Sequence, residues 1–267
     1  MITDTESFMQ NNKNKKILLE GAQGFLLSVD HGSYTYVTSS DTTISGLVKG
    51  VGLNETDIDL TLGIAKVFYM TRVGEGPFPT ELGGKDSAIH CSTKNKEFET
   101  KEYPEVSVND ENEFVQGVAI RFAGGEYGAT TGRPRRTGWL DLPLLRRAML
   151  TNGKDLILTK VDVLNKCSKI KICDAYEYVG EDYNYGDQLI KKGDIIRTAI
   201  VDSNVLYNCK PLYSEHDGWL SEISKLEEYY QLPENLKKII DYVEKETGAN
   251  VRIVSVGAER DETIIVK

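Results

Sequence analysis

The sequence predicts an α/β fold with a mostly parallel central sheet flanked by helices, because apolar runs of strand length alternate with amphipathic helical segments. Residues 154–164 (KDLILTKVDVL) are typical of a strand, a loop and the start of a new element. Residues 232–248 repeat apolar side chains at helical spacing between Pro233 and Gly248. Residues 250–264 predict a strand that enters a loop.

The earlier part of the chain is predicted in four pieces. Residues 15–21 (KKILLEG) indicate a short buried strand that feeds a glycine loop. Residues 31–43 are rich in hydroxyl groups and predict a loop that ends at a helix N-cap. Residues 57–82 begin with a helix or strand and continue into a Gly/Pro loop, whereas residues 83–115 predict a surface excursion with at most a hairpin.

Two further helices are predicted. Residues 139–153 have helical apolar spacing, with Asp141 as N-cap, Pro143 in the first turn and Gly153 just past the end. Residues 217–230 (DGWLSEISKLEEYY) place four large apolar side chains on one helical face.

Composition limits the class of protein. The chain has 267 residues, of which 40% are hydrophobic, so it is long enough to bury a substantial core. The net charge of −9 argues against nucleic-acid or anionic-membrane partners. The polar N-terminal segment and the lack of a long apolar run predict a cytoplasmic protein with no membrane span. The four cysteines lack metal-ligand or CxxC spacing and are expected to be free thiols.

Residues 124–141 (GGEYGATTGRPRRTGWLD) concentrate glycine, threonine and arginine in an acidic chain. Glycine allows close approach of backbone N–H groups, and threonine hydroxyls and arginine forks bind carboxylate or phosphate oxygens. The pattern favours an anion site, with a solvated basic loop as the alternative.

A second motif follows the apolar strand at residues 156–159 and reads Thr159-Lys160-Val161-Asp162. An aspartate here offers two acceptors that match the N1–H and amino donors of guanine, and adenine has no such donor pair. Four residues also occur together by chance, so the motif leaves guanine recognition and coincidence both open.

Two glycine turns are weaker candidates. Gln23 lies in a Gly-Ala-Gln-Gly loop, where its amide can contact a base edge, but a plain turn explains the same residues. Ser255 and Gly257 lie in a turn after a strand, where backbone groups either contact a base or simply reverse the chain.

Taken in order, these segments closely resemble the adenylosuccinate synthetase family. The matching motifs are EGAQG, DHGSYTYVTSSDTT, TRVGEGPFPTEL, GATTGRPRRTGWLDL, LTKVDVL, DGW and SVGAERDETI. The resemblance runs from about Lys16 to the C-terminus, which predicts a polar extension over residues 1–15 and a family domain over residues 16–267. It implies a P-loop NTPase-like adenylosuccinate synthetase fold, incomplete at its N-terminal side, and an enzyme that joins L-aspartate to IMP with GTP and Mg²⁺.

The resemblance also implies three sets of binding residues. For IMP, Gln23 matches a contact to the 6-oxygen, Thr38 a donor to the 5′-phosphate and Val73 a backbone contact near the ribose. The aspartate loop matches Ala129, Thr130, Thr131, Gly132 and Arg133, with Arg133 bridging aspartate and IMP. For GTP, Arg135 matches a contact near the phosphates, Lys160 and Asp162 match the guanine readers, and Ser255 and Gly257 match backbone contacts to guanine.

The sequence departs from the family in one respect that bears on chemistry. No GDEGKGK loop occurs in these 267 residues, and that loop carries the family's catalytic base, its magnesium ligand and phosphate donors. A histidine general acid and part of the IMP phosphate site are also unmatched, and Pro134 stands where many members have a basic residue. We therefore expect a C-terminal portion of the enzyme that needs the missing part for activity.

Three interpretations of that departure stay open. A separate chain carries the N-terminal half, the chain is a non-catalytic or truncated purine-nucleotide-binding remnant, or it is a phage-type variant that acts on dGMP. The family also implies a possible homodimer.

Overall fold

The computed structural model describes residues 3–266, and their helices begin and end close to capping residues. The α-helices are α1 Thr5–Gln10, α2 Ile44–Gly50, α3 Gly84–Thr93, α4 Lys96–Glu102, α5 Glu113–Gly124, α6 Leu142–Asn152, α7 Ser203–Tyr207 and α8 Glu234–Thr247. Short 3-10 helices cover Phe25–Leu27, Glu55–Asp57, Val161–Leu164 and Tyr229–Gln231.

The strands form two larger sheets and a small hairpin. They are β1 Gly63–Lys66, β2 Tyr69–Arg72, β3 Arg136–Asp141, β4 Asp155–Thr159, β5 Lys169–Tyr178, β6 Tyr183–Tyr185, β7 Gln188–Ile190, β8 Ile195–Ile196, β9 Cys209–Asp217, β10 Asn250–Ser255 and β11 Thr263–Ile265. The first sheet has the order β1-β4-β10-β11, in which β4 is parallel to both neighbours and β11 is antiparallel. In the second, β3 is antiparallel to β2 and parallel to β5, and β5 pairs with β8 and β9.

The two larger sheets meet at the residues between β1 and β2. The Val67 N–H donates to the Thr159 carbonyl at 3.0 Å, and the Leu140 N–H donates to the Phe68 carbonyl at 3.1 Å. Val67 and Phe68 are fully buried in the main hydrophobic core, together with apolar residues of β3, β4, β10 and α8. The predicted α/β architecture with a parallel-rich sheet and flanking helices is confirmed.

Two helices follow their sequence signals closely. Helix α6 has Asp141 as N-cap, with its carboxylate accepting from the Leu144 N–H at 3.0 Å, Pro143 in the first turn and Gly153 as C-cap. Helix α8 starts after Pro233 and ends at Gly248, whose left-handed φ of 73° suits glycine. The predicted helices at both places are confirmed.

Asp141 makes stability depend on pH. Its carboxyl is fully buried, accepts the Tyr176 O–H at 2.6 Å, and has a pKa raised from 3.8 to about 7 by loss of solvation. Because the folded state holds this proton at a higher pH than the unfolded chain, stability falls as pH rises from about 4 through about 7.

The Asp141→Asn variant is expected to lose this pH dependence while keeping an oxygen for the cap. The free energy of unfolding of the variant minus that of the wild type should rise by on the order of 2–4 kcal/mol when the pH is raised from about 5 to about 8. Urea denaturation at several pH values measures the difference. A constant difference across that range would contradict the buried titration.

The prediction of a buried strand at residues 15–21 is wrong. This segment has no regular secondary structure, and Ile17 and Leu18 are 40% and 90% exposed. A short apolar run predicts burial only when another element covers it, and no described element covers these side chains. The prediction of a hydroxyl-rich loop before a helix N-cap is confirmed, since Thr43 caps α2.

The prediction for residues 83–115 is also wrong, because the segment contains α3, α4 and the start of α5. Asn95 and Asn112 cap α4 and α5 through their side chains. The buried residues of α3 and α4 are mostly polar and form hydrogen bonds with one another, so no apolar stripe marks these two helices. The carboxylate of fully buried Glu99 accepts hydrogen bonds from Arg121 and Tyr127.

The third wrong prediction concerns residues 217–230, which do not form the predicted amphipathic helix and contain only the start of the short 3-10 helix Tyr229–Gln231. The Glu222 carboxylate accepts from the backbone N–H groups of Ile223 and Ser224, which holds a turn where helical hydrogen bonds were expected. Leu220 has a positive φ of 49° and is exposed, whereas Ile223 is buried. Apolar spacing alone was therefore misleading here.

The described residues agree with several compositional expectations. All four cysteines are buried free thiols. Among residues 3–266, no helix combines the length and apolar character needed to cross a bilayer. The division at residue 15 stays a prediction, although part of the predicted polar extension forms α1 and buries Met9.

Candidate functional site

Three neighbouring parallel strands end at the same edge of the first sheet. Lys66 ends β1 opposite Thr159, the last residue of β4, and β10 ends at Ser255. In open α/β sheets, the carboxyl ends of parallel strands form the crevice in which ligands bind. The segment containing Lys160 and Asp162 therefore lies between the end of β1 at Lys66 and the end of β10 at Ser255.

The turn after β4 is held by an unusual backbone conformation and by a helix end. Lys160 has a left-handed φ of 62°, and its ammonium donates to the Gly124 carbonyl at 2.9 Å. Gly124 is the last residue of α5, where unpaired carbonyls and the helix dipole attract a cation. The turn thus presents Asp162 in the first turn of a 3-10 helix, with its side chain half-buried.

Asp162 lies in an acidic environment. Loss of solvation raises the pKa of its carboxyl, the nearby Lys160 cation opposes this, and the charges of Glu222 and Glu262 raise it further. Glu262 belongs to the loop after β10, so the turns that follow β4 and β10 are close enough to interact electrostatically. A ligand with N–H donors would relieve the repulsion among these carboxylates.

The turn after β10 is compact. The Ser255 hydroxyl donates to the Gly257 carbonyl at 2.9 Å. A side chain on Gly257 would collide with the Glu262 carboxylate, so a larger residue there would require the Glu262 side chain to move. The Glu262 carboxylate also accepts from the Glu259 N–H at 2.8 Å, which keeps the loop folded back on the strand.

A buried carboxylate links Arg135 to this edge. Glu126 is 1% exposed, and its carboxylate accepts from the Tyr69 hydroxyl at 2.7 Å and from the Arg135 guanidinium at 2.8 Å. The Lys66 ammonium lies 2.9 Å from both Glu126 carboxylate oxygens and donates to the Thr71 hydroxyl at 2.6 Å. We refer to Lys66, Tyr69, Glu126 and Arg135 as the Glu126 cluster.

The loop predicted to hold an anion is closed by its own backbone. The Gly128 N–H donates to the Arg133 carbonyl at 2.9 Å, and the Gly132 N–H donates to the Gly128 carbonyl at 2.8 Å. The Thr131 hydroxyl accepts from the Arg133 N–H at 3.3 Å. Ala129, Thr130, Thr131 and Arg133 are exposed, so the loop offers hydroxyl and guanidinium groups to solvent.

Val73 directly follows a buried arginine of β2, and Thr38 belongs to the hydroxyl-rich loop that this arginine contacts. Arg72 donates to the Ser33 hydroxyl at 3.0 Å and to the Glu75 carbonyl at 2.9 Å, which ties the hydroxyl-rich loop to the loop after β2. Burial and the neighbouring Arg136 cation lower the pKa of Arg72 to about 10. Thr38 is half-buried and Val73 is exposed beside this junction.

The structure brings five predicted site residues to one sheet edge: Arg135, Lys160, Asp162, Ser255 and Gly257. Gln23 is exposed on a separate irregular segment, with a positive φ of 73°. Among residues 3–266, no hydrogen bond joins the Gln23 side chain to that edge.

Sequence reasoning missed Lys66 and Glu126. Lys66 ends an apolar run, as Lys160 follows one, which is a usable signal for a strand-end cation. Glu126 stands among glycines just before the basic loop, but its partners Lys66 and Tyr69 are 60 and 57 residues away. Only the fold shows that they meet.

The sequence resemblance implies Mg²⁺, and the described residues were searched for a set of side chains that could hold it. Across residues 3–266, no group of three or more His, Cys, Asp or Glu side chains is placed to hold a metal ion. We therefore assign no magnesium ligand to these residues and derive no step through the metal.

The fold and the site define an α/β protein whose charged and glycine-rich turns collect at the carboxyl edge of a parallel-rich sheet. Known proteins have a similar fold and a similar sequence. The chain belongs to the adenylosuccinate synthetase family, because the family model described as Adenylosuccinate synthetase matches residues 1–264.

Individual relatives agree with this assignment. The adenylosuccinate synthetases of Caldicellulosiruptor saccharolyticus and Thermodesulfovibrio yellowstonii are each 41% identical, over 99% and 95% of this chain and 52% and 50% of their own lengths. A solved structure of fully ligated adenylosuccinate synthetase from Plasmodium falciparum superposes with a TM-score of 0.78 at 35% identity, covering 100% of this chain and 54% of that one. The chain spans about half the length of the curated relatives it matches.

Proposed function

We propose that this chain supplies the guanine-nucleotide and aspartate part of an adenylosuccinate synthetase, a carbon–nitrogen ligase that joins L-aspartate to IMP with GTP. One observation carries the proposal. Lys66, the Lys160–Asp162 turn and the Ser255–Gly257 turn end three adjacent parallel strands, and Glu126 ties Arg135 to the first of them.

Guanine recognition follows from the chemistry of this edge. The half-buried Asp162 carboxylate can accept from both N1–H and the amino group of guanine, whereas adenine offers no matching pair of donors. We place the base beside the stem of Lys160, whose ammonium is held at the end of α5 by the Gly124 carbonyl. This arrangement favours GTP over ATP as the energy donor.

The basic groups beside this turn suit the phosphoryl transfer. In the proposed reaction the γ-phosphoryl group passes from GTP to the 6-oxygen of IMP, and the aspartate amine then displaces phosphate at that carbon. Negative charge on the transferred oxygens is stabilised by preorganised cations, which is the largest contribution in such reactions. Arg135 and Lys66, which Glu126 holds together at the end of β1, are our candidates for that role.

The exposed loop provides a carboxylate site. Thr130 and Thr131 offer hydroxyl donors, and Arg133 offers a guanidinium fork, which together match the two carboxylates of aspartate. Gln23, Thr38 and Val73 complete the proposal as IMP contacts. Gln23 and the aspartate loop are solvent-exposed, so they are accessible to a substrate.

The remaining family sequence has a defined part in this proposal. About half the length of the relatives lies outside these 267 residues. We assign the catalytic base, the general acid and the Mg²⁺ ligands to that other half, because the GDEGKGK loop that the resemblance associates with this chemistry does not occur in these 267 residues.

Enzyme assay tests the proposal. The chain is mixed with a polypeptide that carries the rest of the family sequence, and IMP, GTP, L-aspartate and Mg²⁺ are supplied. We expect adenylosuccinate from the mixture and none from either polypeptide alone. An inactive mixture that still binds GDP would indicate a non-catalytic nucleotide-binding protein, and product from dGMP and ATP in place of IMP and GTP would indicate the variant acting on dGMP.

A further inference from the structure

We propose that Glu126 is a positioning residue that fixes Lys66 and Arg135 at the nucleotide-binding edge, a role that rests on the proposed function. None of the sequence motifs points to it. Its carboxylate joins cations from two separate elements, the end of β1 and the segment that enters β3.

The carboxylate is itself held rigidly. Gly125 has a left-handed φ of 61° as C-cap of α5, and it turns the chain so that Glu126 points into the protein. The Glu126 N–H donates to the Arg121 carbonyl at 2.9 Å, and its own carbonyl accepts from the Arg135 N–H at 2.9 Å. Arg135 is therefore attached to Glu126 through both backbone and side chain.

Lys66 is held as firmly as Arg135. Its ammonium contacts the Glu126 carboxylate and the Thr71 hydroxyl, which uses two of its three N–H groups when the carboxylate takes one. One N–H stays available for a ligand. Lys66 also lies directly beside the end of β4, because it pairs with Thr159 in the parallel ladder.

The end of α5 collects three cations. Gly124 accepts the Lys160 ammonium through its carbonyl, and Glu126 accepts Lys66 and Arg135. Burial lowers the pKa of Lys66, and the charges of Arg135 and Lys160 lower it further, so the three cations repel one another. A buried anion is needed to hold such a group together while each cation keeps donors free.

Glu126 remains ionised in this environment. Burial acts to raise its pKa, but the charges and hydrogen bonds of Lys66, Tyr69 and Arg135 outweigh it and lower the pKa overall. The cluster therefore carries a net charge of +1 from its two cations and one anion, and Lys160 adds another. This suits an anionic ligand such as a nucleoside diphosphate.

Glycine at position 124 leaves room for the Tyr69 and Glu126 side chains to meet. A Cβ there would lie 2.7 Å from the Tyr69 hydroxyl and 3.1 Å from Glu126 Cγ. The helix must therefore end in a residue without a side chain for Tyr69 and Glu126 to meet.

Glu126→Gln tests the role with GDP as the probe, measured by calorimetry on the 267-residue chain alone and mixed with the rest of the family sequence. The amide cannot balance two cations, so Lys66 and Arg135 should move apart, and GDP should bind about tenfold more weakly. Asp141→Asn is the matched control, because it also changes a buried carboxylate that accepts a tyrosine hydroxyl. It should leave GDP affinity within about twofold.

A second measurement needs no ligand and complements the GDP calorimetry. With lysines ¹³C-methylated, NMR should report a lower pKa for Lys66 in Glu126→Gln than in the wild type, because the neighbouring negative charge is gone. If Glu126→Gln does not fold, the Lys66→Gln, Glu126→Gln double variant restores the net charge of the cluster. It should bind GDP more weakly than Lys66→Gln alone, because only the double variant also releases Arg135 from its carboxylate partner.

Two results would overturn the inference, and they differ. GDP affinity that stays within about twofold in the Glu126 variants removes the positioning role but leaves the proposed function intact. A wild-type chain that binds no GDP in either setting removes the proposed function and the positioning role with it.

Discussion

Arg121→Met is expected to lower the free energy of unfolding by about 3–5 kcal/mol, because it leaves a buried carboxylate without its cation. Arg121 and Glu99 are both fully buried. The guanidinium donates to the Glu99 carboxylate at 2.6 and 3.0 Å through two nitrogens, and to the Thr137 hydroxyl at 3.3 Å. Methionine has a similar length but offers no donor.

His90 and Tyr127 do not replace the missing cation. Tyr127 donates one neutral hydrogen bond to Glu99 at 2.6 Å. The His90 ring nitrogen lies 2.9 Å from Glu99, and burial lowers the pKa of His90, so the full loss is expected at about pH 8, where the imidazole is neutral. Thermal and urea denaturation measure the loss. The matched control is the Arg121→Met, Glu99→Leu double variant, which removes both charges and should recover most of the stability. A single variant within about 1 kcal/mol of the wild type would contradict this account.

Local signals predicted the elements that position the guanine turn. Helix α8 and helix α6 carry capping residues and apolar faces close together in sequence, and the strands before Lys160 and Ser255 are bounded by turn residues. These patterns depend on neighbours within a few positions, so one sequence is enough to recognise them.

The segment from residue 83 to 115 shows what such signals miss. Its helices bury Glu99, His90 and the partner Arg121, which are usually surface residues. Charges become buried only when another element supplies a counter-charge, and that partner lies 22 residues further on. Composition therefore suggested a surface loop where the fold places a packed helical layer.

The same physical limit applies to the site. Lys160 and Asp162 were found because a short motif carries both, whereas Glu126 was missed because its role depends on Lys66 and Tyr69, which lie about 60 residues earlier in β1 and β2. The prediction for residues 217–230 was wrong for the opposite reason, because a local pattern was present but the predicted helix was not. Their spacing was helical, but the Glu222 side chain competes for the backbone N–H groups and makes a turn instead.

Asp162→Asn is expected to exchange guanine for xanthine as the preferred base. The amide keeps one acceptor for N1–H but replaces the second acceptor with a donor, which opposes the guanine amino group and matches the xanthine 2-oxygen. Loss of a hydrogen bond to a charged group costs about 1.5–3 kcal/mol, so GDP should bind roughly 10- to 100-fold more weakly. Xanthosine diphosphate should gain affinity.

The exchange also relieves the acidic environment of the turn, since Glu222 and Glu262 no longer face a third carboxylate. The variant should therefore fold at least as well as the wild type, which separates the change in base preference from instability. Competition of GDP and xanthosine diphosphate on both proteins measures it. Asp261→Asn, an exposed carboxylate in the loop after β10, is the control and should keep the guanine preference. If both diphosphates weaken equally in Asp162→Asn, Asp162 does not read the base and the guanine assignment of this sheet edge fails.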